Sequence, residues 1–97
     1  MFIRIVKLQI ASEYIKDFEM LFEKYKNDIR NQEGCSKLDL LKDKNNEGVF
    51  FTYSIWDKES SLEKYRNSEL FEIVWGTTKK FFSGKPEAWS VDRLVEL

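Results

Sequence analysis

Residues Val49 to Trp56 read Val-Phe-Phe-Thr-Tyr-Ser-Ile-Trp, and no other stretch constrains the chain as much. β-branched and aromatic side chains of this kind pack best on a pleated sheet. Successive residues of a strand point to opposite faces. Val49, Phe51, Tyr53 and Ile55 therefore share one face, and Phe50, Thr52, Ser54 and Trp56 share the other. Apolar residues stand on both faces, so the run belongs in a sheet covered on two sides. The chain has 97 residues. A domain holds roughly 100–200 residues, so residues 1–97 are read as one domain.

The elements around this strand follow from periodicity. Phe2 to Ile10 alternates as a strand, with Phe2, Arg4, Val6, Leu8 and Ile10 on one face and Ile3, Ile5, Lys7 and Gln9 on the other. Ser12 is placed as the N-cap of a helix, and Gly34 as its stop. Between them Ile15, Phe18, Leu21, Phe22, Tyr25 and Ile29 recur at spacings of three and four. Cys35 to Asp43 reads as a second strand, with Leu38 and Leu40 on one face. Lys44 to Gly48 is a turn that joins it to Val49–Trp56 as a hairpin. Asp57 or Ser60 opens the next helix, and Ser60 with Glu63 fits a capping box. Asn67-Ser68 breaks that helix, with Ser68 capping a second segment. Two adjacent stripes mark the segment: Leu70, Val74, Thr77 and Phe81, then Phe71, Trp75, Thr78 and Phe82. Gly84 and Pro86 end it, and Trp89 to Leu97 is the last strand. The order β-α-β-β-α-β is that of an α+β, ferredoxin-like sandwich.

Composition removes whole classes of function. Lys plus Arg is 16 and Asp plus Glu is 17, a net charge of −1. Binding to nucleic acid by phosphate contacts needs a basic surface, so no nucleic-acid partner is expected. No apolar run approaches the roughly 20 residues of a membrane helix, so no membrane role is expected either. Arg4 and Lys7 interrupt the N-terminal apolar stretch, which is unlike a signal peptide. There are 0 His residues, which excludes His-based nucleophilic triads and histidine metal sites. The 1 Cys, Cys35, forms no internal disulfide and fits a buried small residue in a cytoplasmic protein. No metal site is expected. The aromatic share of 15 % exceeds what one small core needs, which points to a pocket, a partner interface, or both.

A monomer does not leave a large apolar sheet face in water. Ile3 and Ile5, with Val49, Phe51, Tyr53 and Ile55, make such a face on neighbouring strands. The expectation is a two-fold homodimer with the two sheets packed face to face.

From Trp56 onward the sequence carries a pattern. Trp56, Leu62, Tyr65, Ser68 and Phe71 give W-x5-L-x2-Y-x2-S-x2-F, between a hairpin and an aromatic-rich helix. This resembles the antibiotic biosynthesis monooxygenase family, over essentially the whole chain. Lys85 to Val91 resembles a subgroup of small bacterial members. The resemblance implies a dimeric α+β barrel with a pocket between sheet and helices. It implies oxidation of quinols, anthrones or related aromatics by dioxygen, without flavin or metal, so that no cofactor is expected. Other members degrade haem or isomerise small phosphorylated ketones. For the haem branch, Trp75 stands where the iron-binding His is expected, Tyr65 where a pocket Trp is, and Val6 about where an Asn is. All three depart from that pattern.

Oxygenation of this kind needs a dry pocket that orients a deprotonated substrate. Tyr65 and Tyr53 are the candidate catalytic residues; Arg4, Phe51, Phe71 and Trp75 are the candidate substrate contacts. Each has a plainer alternative. Tyr65, Trp75 and Tyr53 also fit core packing, and Arg4 fits either a solvent-facing position or a pair with an acidic residue such as Asp92. The partners implied are a small aromatic substrate, dioxygen and a second copy of the chain. No side chain here titrates near neutral pH without a shift. A ligand-binding dimer without turnover therefore stands as the alternative function, with an enediolate isomerase behind it.

Overall fold

The computed structural model describes residues 1–97. Strands β1 (Phe2–Gln9), β2 (Cys35–Lys42), β3 (Val49–Trp56) and β4 (Glu87–Val91) form one antiparallel sheet in the order β2-β3-β1-β4. Helices α1 (Ile15–Arg30), α2 (Glu59–Arg66) and α3 (Glu69–Thr78) cover one of its faces. This is the ferredoxin-like α+β arrangement, with the helical cover of the second half split in two. The most apolar strands, β1 and β3, take the centre, where each pairs on both sides. No helix is long and apolar enough to cross a membrane.

The pairing sets the faces. Phe2 lies opposite Trp56, Arg4 opposite Ser54, Val6 opposite Thr52 and Leu8 opposite Phe50. These side chains look toward the helices. Leu8, Ile10, Ile15, Phe18 and Phe50 form one buried cluster; Phe2, Cys35, Trp56 and Leu62 form another. The other face carries Ile3, Ile5, Phe51, Tyr53 and Ile55 in register. Trp89 and Val91 extend it from β4, opposite Ile5 and Ile3.

Several boundaries differ from expectation. Ser12 does not cap α1: Ser12–Tyr14 is a 3₁₀ turn, and the helix starts at Ile15 with no side-chain cap. The reason is a tether just before it. Ala11 N–H donates to Phe81 O at 2.8 Å and Ala11 O accepts from Tyr14 N–H at 2.9 Å, while Tyr14 packs on the Phe81 ring. Helix α1 ends at Arg30, before Gly34. Gly34 serves instead the turn into β2, at φ +86°, where an added Cβ would strike the Asp57 and Ser61 side chains. The Ser60–Glu63 capping box does not form, because α2 starts at Glu59 and Ser60 lies within its first turn. Asp57 bonds to Ser61 there, and that bond is the main cause that holds its carboxyl below the usual range. Ser68 does cap α3, accepting from Phe71 N–H at 3.2 Å.

The last strand is Glu87–Val91, not Trp89–Leu97. Its partner fixes its length. Val91 already lies opposite Ile3, at the start of β1, so no strand remains for residues beyond it to join. Arg93 turns instead to the Tyr53 hydroxyl, donating at 3.0 Å, and pairs with Glu96.

Candidate functional site

Between the sheet and its helices lies a chamber of about 280 Å³. Its floor is the helix-facing side of β1 and β3, and small residues make the space. Thr52 and Ser54 stand between the large Phe50 and Trp56 along β3, and Val6 lies across from Thr52. Phe18 and Phe22 of α1 close one side. Residues from α2 and α3 close the other.

That second wall is a ladder of rings. Trp56 stacks on Tyr65 with centroids 5.6 Å apart, and Tyr65 meets Phe71 edge-on at 5.2 Å. Phe71 stacks on Trp75 at 5.8 Å, and Trp75 meets Phe82 edge-on at 5.6 Å. Offset and edge-on contacts are the favourable arrangements for such rings. The break at Asn67-Ser68 makes the ladder continuous. Asn67 Nδ2 donates to Glu63 O at 3.0 Å, and Ser68 Oγ donates to Tyr65 O at 2.6 Å. These bonds turn the chain so that Tyr65 at the end of α2 faces Phe71 at the start of α3.

Polar groups in the chamber are few. Trp56 Nε1–H donates to Ser54 Oγ at 2.9 Å, which fixes the indole. Arg4 Nη1 donates to Ser90 Oγ at 3.0 Å, so its partner is a hydroxyl of β4, not Asp92. Arg66, the last residue of α2, also lines the chamber. Burial, then the charge of Arg66, lower the pKa of Arg4, while Glu63 acts the other way. Burial pushes the Tyr65 phenol well above its ordinary value, with Cys35 adding to the shift; no hydrogen bond offsets it. Tyr65 therefore keeps its proton at neutral pH, as a donor and not a base. Burial likewise raises the Cys35 thiol, which suits an unreactive structural position. No three His, Cys, Asp or Glu side chains are grouped to hold a metal ion.

Arg4, Tyr65, Phe71 and Trp75 thus meet in one chamber. Phe51 and Tyr53 do not join them. Both lie on the opposite face of the sheet, because a strand alternates and Thr52 and Ser54 are the chamber-facing residues. Four polar residues that face the chamber were not anticipated as site residues: Thr52, Ser54, Arg66 and Thr78. Arg66 follows Leu62 by four residues, so helical spacing carries it to the same side as a buried position. Thr78 falls on the stripe of Phe71 and Trp75, and donates to Val74 O at 2.7 Å. Glu87, where β4 begins two residues earlier than its apolar pattern suggests, borders the chamber, but it shares a face with Trp89 and lies opposite Lys7, so its side chain belongs to the outer face.

A family model described as antibiotic biosynthesis monooxygenase matches residues 1–73. No curated protein matches the sequence. Among solved structures, one described as antibiotic biosynthesis monooxygenase superposes with a TM-score of 0.91 at 19% identity, covering 98% of this chain and 100% of that one. A conserved protein from Methanosarcina mazei superposes with a TM-score of 0.89 at 20% identity, covering 96% and 93%. A Mycobacterium tuberculosis protein does so with a TM-score of 0.88 at 14% identity, covering 98% and 96%. At these identities the likeness to solved structures speaks for the fold alone.

Proposed function

The chain belongs to the antibiotic biosynthesis monooxygenase family, and on that footing we propose that its chamber oxidises a small ionisable aromatic molecule, such as a quinol, anthrone or phenol, with dioxygen. The observation that supports this most is the ring ladder Trp56–Tyr65–Phe71–Trp75, set on an apolar chamber with one half-buried, proton-bearing phenol. Pockets for small molecules commonly span roughly 300–1,000 Å³. A chamber of about 280 Å³ suits a molecule of one or a few rings.

The substrate supplies the electrons. For an anthrone-like carbon, CH₂ plus O₂ gives C=O plus H₂O. The carbon loses four electrons and dioxygen gains four, so no further reductant enters. The anion of the substrate gives up the first electron to dioxygen. The chain's part is to exclude water, hold the ring flat against Phe71 and Trp75, and steady the oxyanion by a hydrogen bond from Tyr65. A preorganised donor aimed at developing charge contributes about 10²–10³ in rate in comparable sites. Tyr65→Phe removes that donor alone. The expected result is a fall in kcat of about tenfold or more with little change in unfolding midpoint; equal loss of both would return Tyr65 to simple packing.

The proposed working unit is a homodimer that covers the outer sheet face. Trp89, Val91 and Leu41 there are 43%, 38% and 47% exposed in the single chain. In this reading Phe51 and Tyr53 serve the subunit interface and not the substrate.

A second reading has its own support. Tyr65 is held protonated and no histidine is present, so the chamber has no evident base. A dimer that binds an aromatic ligand without turning it over fits that. Ligand binding with no dioxygen consumption and no product would favour it.

A further inference from the structure

We propose that Arg4 and Arg66 form a carboxylate-binding subsite in the chamber, so that the preferred ligand is an aromatic acid. The inference rests on the aromatic-substrate reading above and narrows it to molecules with a fixed negative charge.

Arg4 projects from the middle of β1 toward the helices, between Ser54 on one side and Ser90 on the other. Burying a charged group is costly unless an opposite charge accompanies it. The hydrogen-bond partner of this guanidinium is the Ser90 hydroxyl, which is neutral. A guanidinium has five N–H donors, so most of those on Arg4 are left to serve other acceptors. The second cation of the chamber, Arg66, has one weak tie: its Nη1 stands 3.7 Å from a Glu63 carboxylate oxygen, at a partly exposed position. An exposed pair of this kind contributes little and gives readily. Burial and then the charge of Arg66 depress the pKa of Arg4, with Glu63 opposing them from outside the chamber lining; an incoming anion would relieve the remaining repulsion. Glu87 borders the same chamber, but the strand register sets it opposite Lys7 on the outer face, so it does not neutralise the two cations.

The guanidinium fork matches a carboxylate in two parallel hydrogen bonds. A flat ring on Phe71 and Trp75 with its carboxylate toward Arg4 and Arg66 would satisfy both halves of the chamber. Charge would also select among ligands of one shape, since an ester offers the same ring without the anion.

Calorimetric titration of the unaltered protein with 1-hydroxy-2-naphthoate and with its methyl ester tests this. The acid should bind at least about tenfold more tightly, with a preference that shrinks as salt rises. Arg4→Gln and Arg66→Gln should each narrow the acid-to-ester ratio, and Arg66→Lys should restore part of it. Equal affinity for acid and ester would overturn the subsite and leave the aromatic chamber standing. Failure of both to bind, together with 1-naphthol, would overturn the chamber reading and the subsite together.

Discussion

Tyr65 shows how burial converts an ordinary side chain into a specific one. Its phenol sits half-buried between Trp56 and Phe71, and so resists ionisation. A pH dependence follows. The phenol's pKa in the folded chain lies above its unfolded value of 10.0. Above about pH 10 the unfolded chain loses this proton while the folded chain keeps it, so stability falls as pH rises. The raised Cys35 thiol acts in the same sense from its own unfolded value of 9.0 upward. Urea denaturation between pH 8 and pH 11 should show the decline, and Tyr65→Phe should flatten its upper part. Two glycines offer a test of opposite sign. Gly34→Ala places a Cβ at positive φ against Asp57 and Ser61, and should destabilise by more than about 1 kcal/mol. At Gly76, within α3, a Cβ meets nothing within 4 Å. Gly76→Ala should stabilise by about 0.5–1 kcal/mol, read from the same denaturation curves.

At the scale of elements, the join between α2 and α3 decides the shape of the chamber. Ser68 both caps α3 and anchors the end of α2. Ser68→Ala should cost about 0.5–2 kcal/mol in unfolding free energy. It should also weaken aromatic ligand binding, because Phe71 and Trp75 ride on the capped helix. Much at this scale was legible in the sequence. β3 has the predicted limits, since seven strand formers and Ser54 stand between a turn and Asp57. The helix break and its cap were legible because Asn67-Ser68 is a local signal. Ser12, Ser60 and the last strand misled for a common reason: tertiary contacts outweighed local preference. The Phe81 tether displaced the first cap, and the start of β1 cut β4 short. The candidate site divided along the same line. Tyr65, Phe71, Trp75 and Arg4 carry face signals that hold in three dimensions. Phe51 and Tyr53 drew notice as aromatics, although their alternation with Thr52 and Ser54 placed them on the outer face.

At the scale of the whole molecule, a single chain leaves one apolar sheet face partly exposed, most at Leu41, Trp89 and Val91. Ile5 lies near its middle, with Tyr53 opposite on β3 and Trp89 opposite on β4. Light scattering should give twice the chain mass of 11.6 kDa at micromolar concentration. Ile5→Lys should shift the mass to that of one chain. A monomer mass for the unaltered protein would remove the proposed interface. The chamber lies on the other side of the sheet, so the interface and the chemistry are tested separately. For the chemistry, the decisive measurement is oxygen uptake by the metal-stripped protein across quinols, anthrones and catechols, with spontaneous oxidation subtracted. The account predicts saturable uptake above background, with one labelled atom of ¹⁸O₂ in the product and the other in water. No uptake on any of them, with the aromatic ligands still bound, would contradict it.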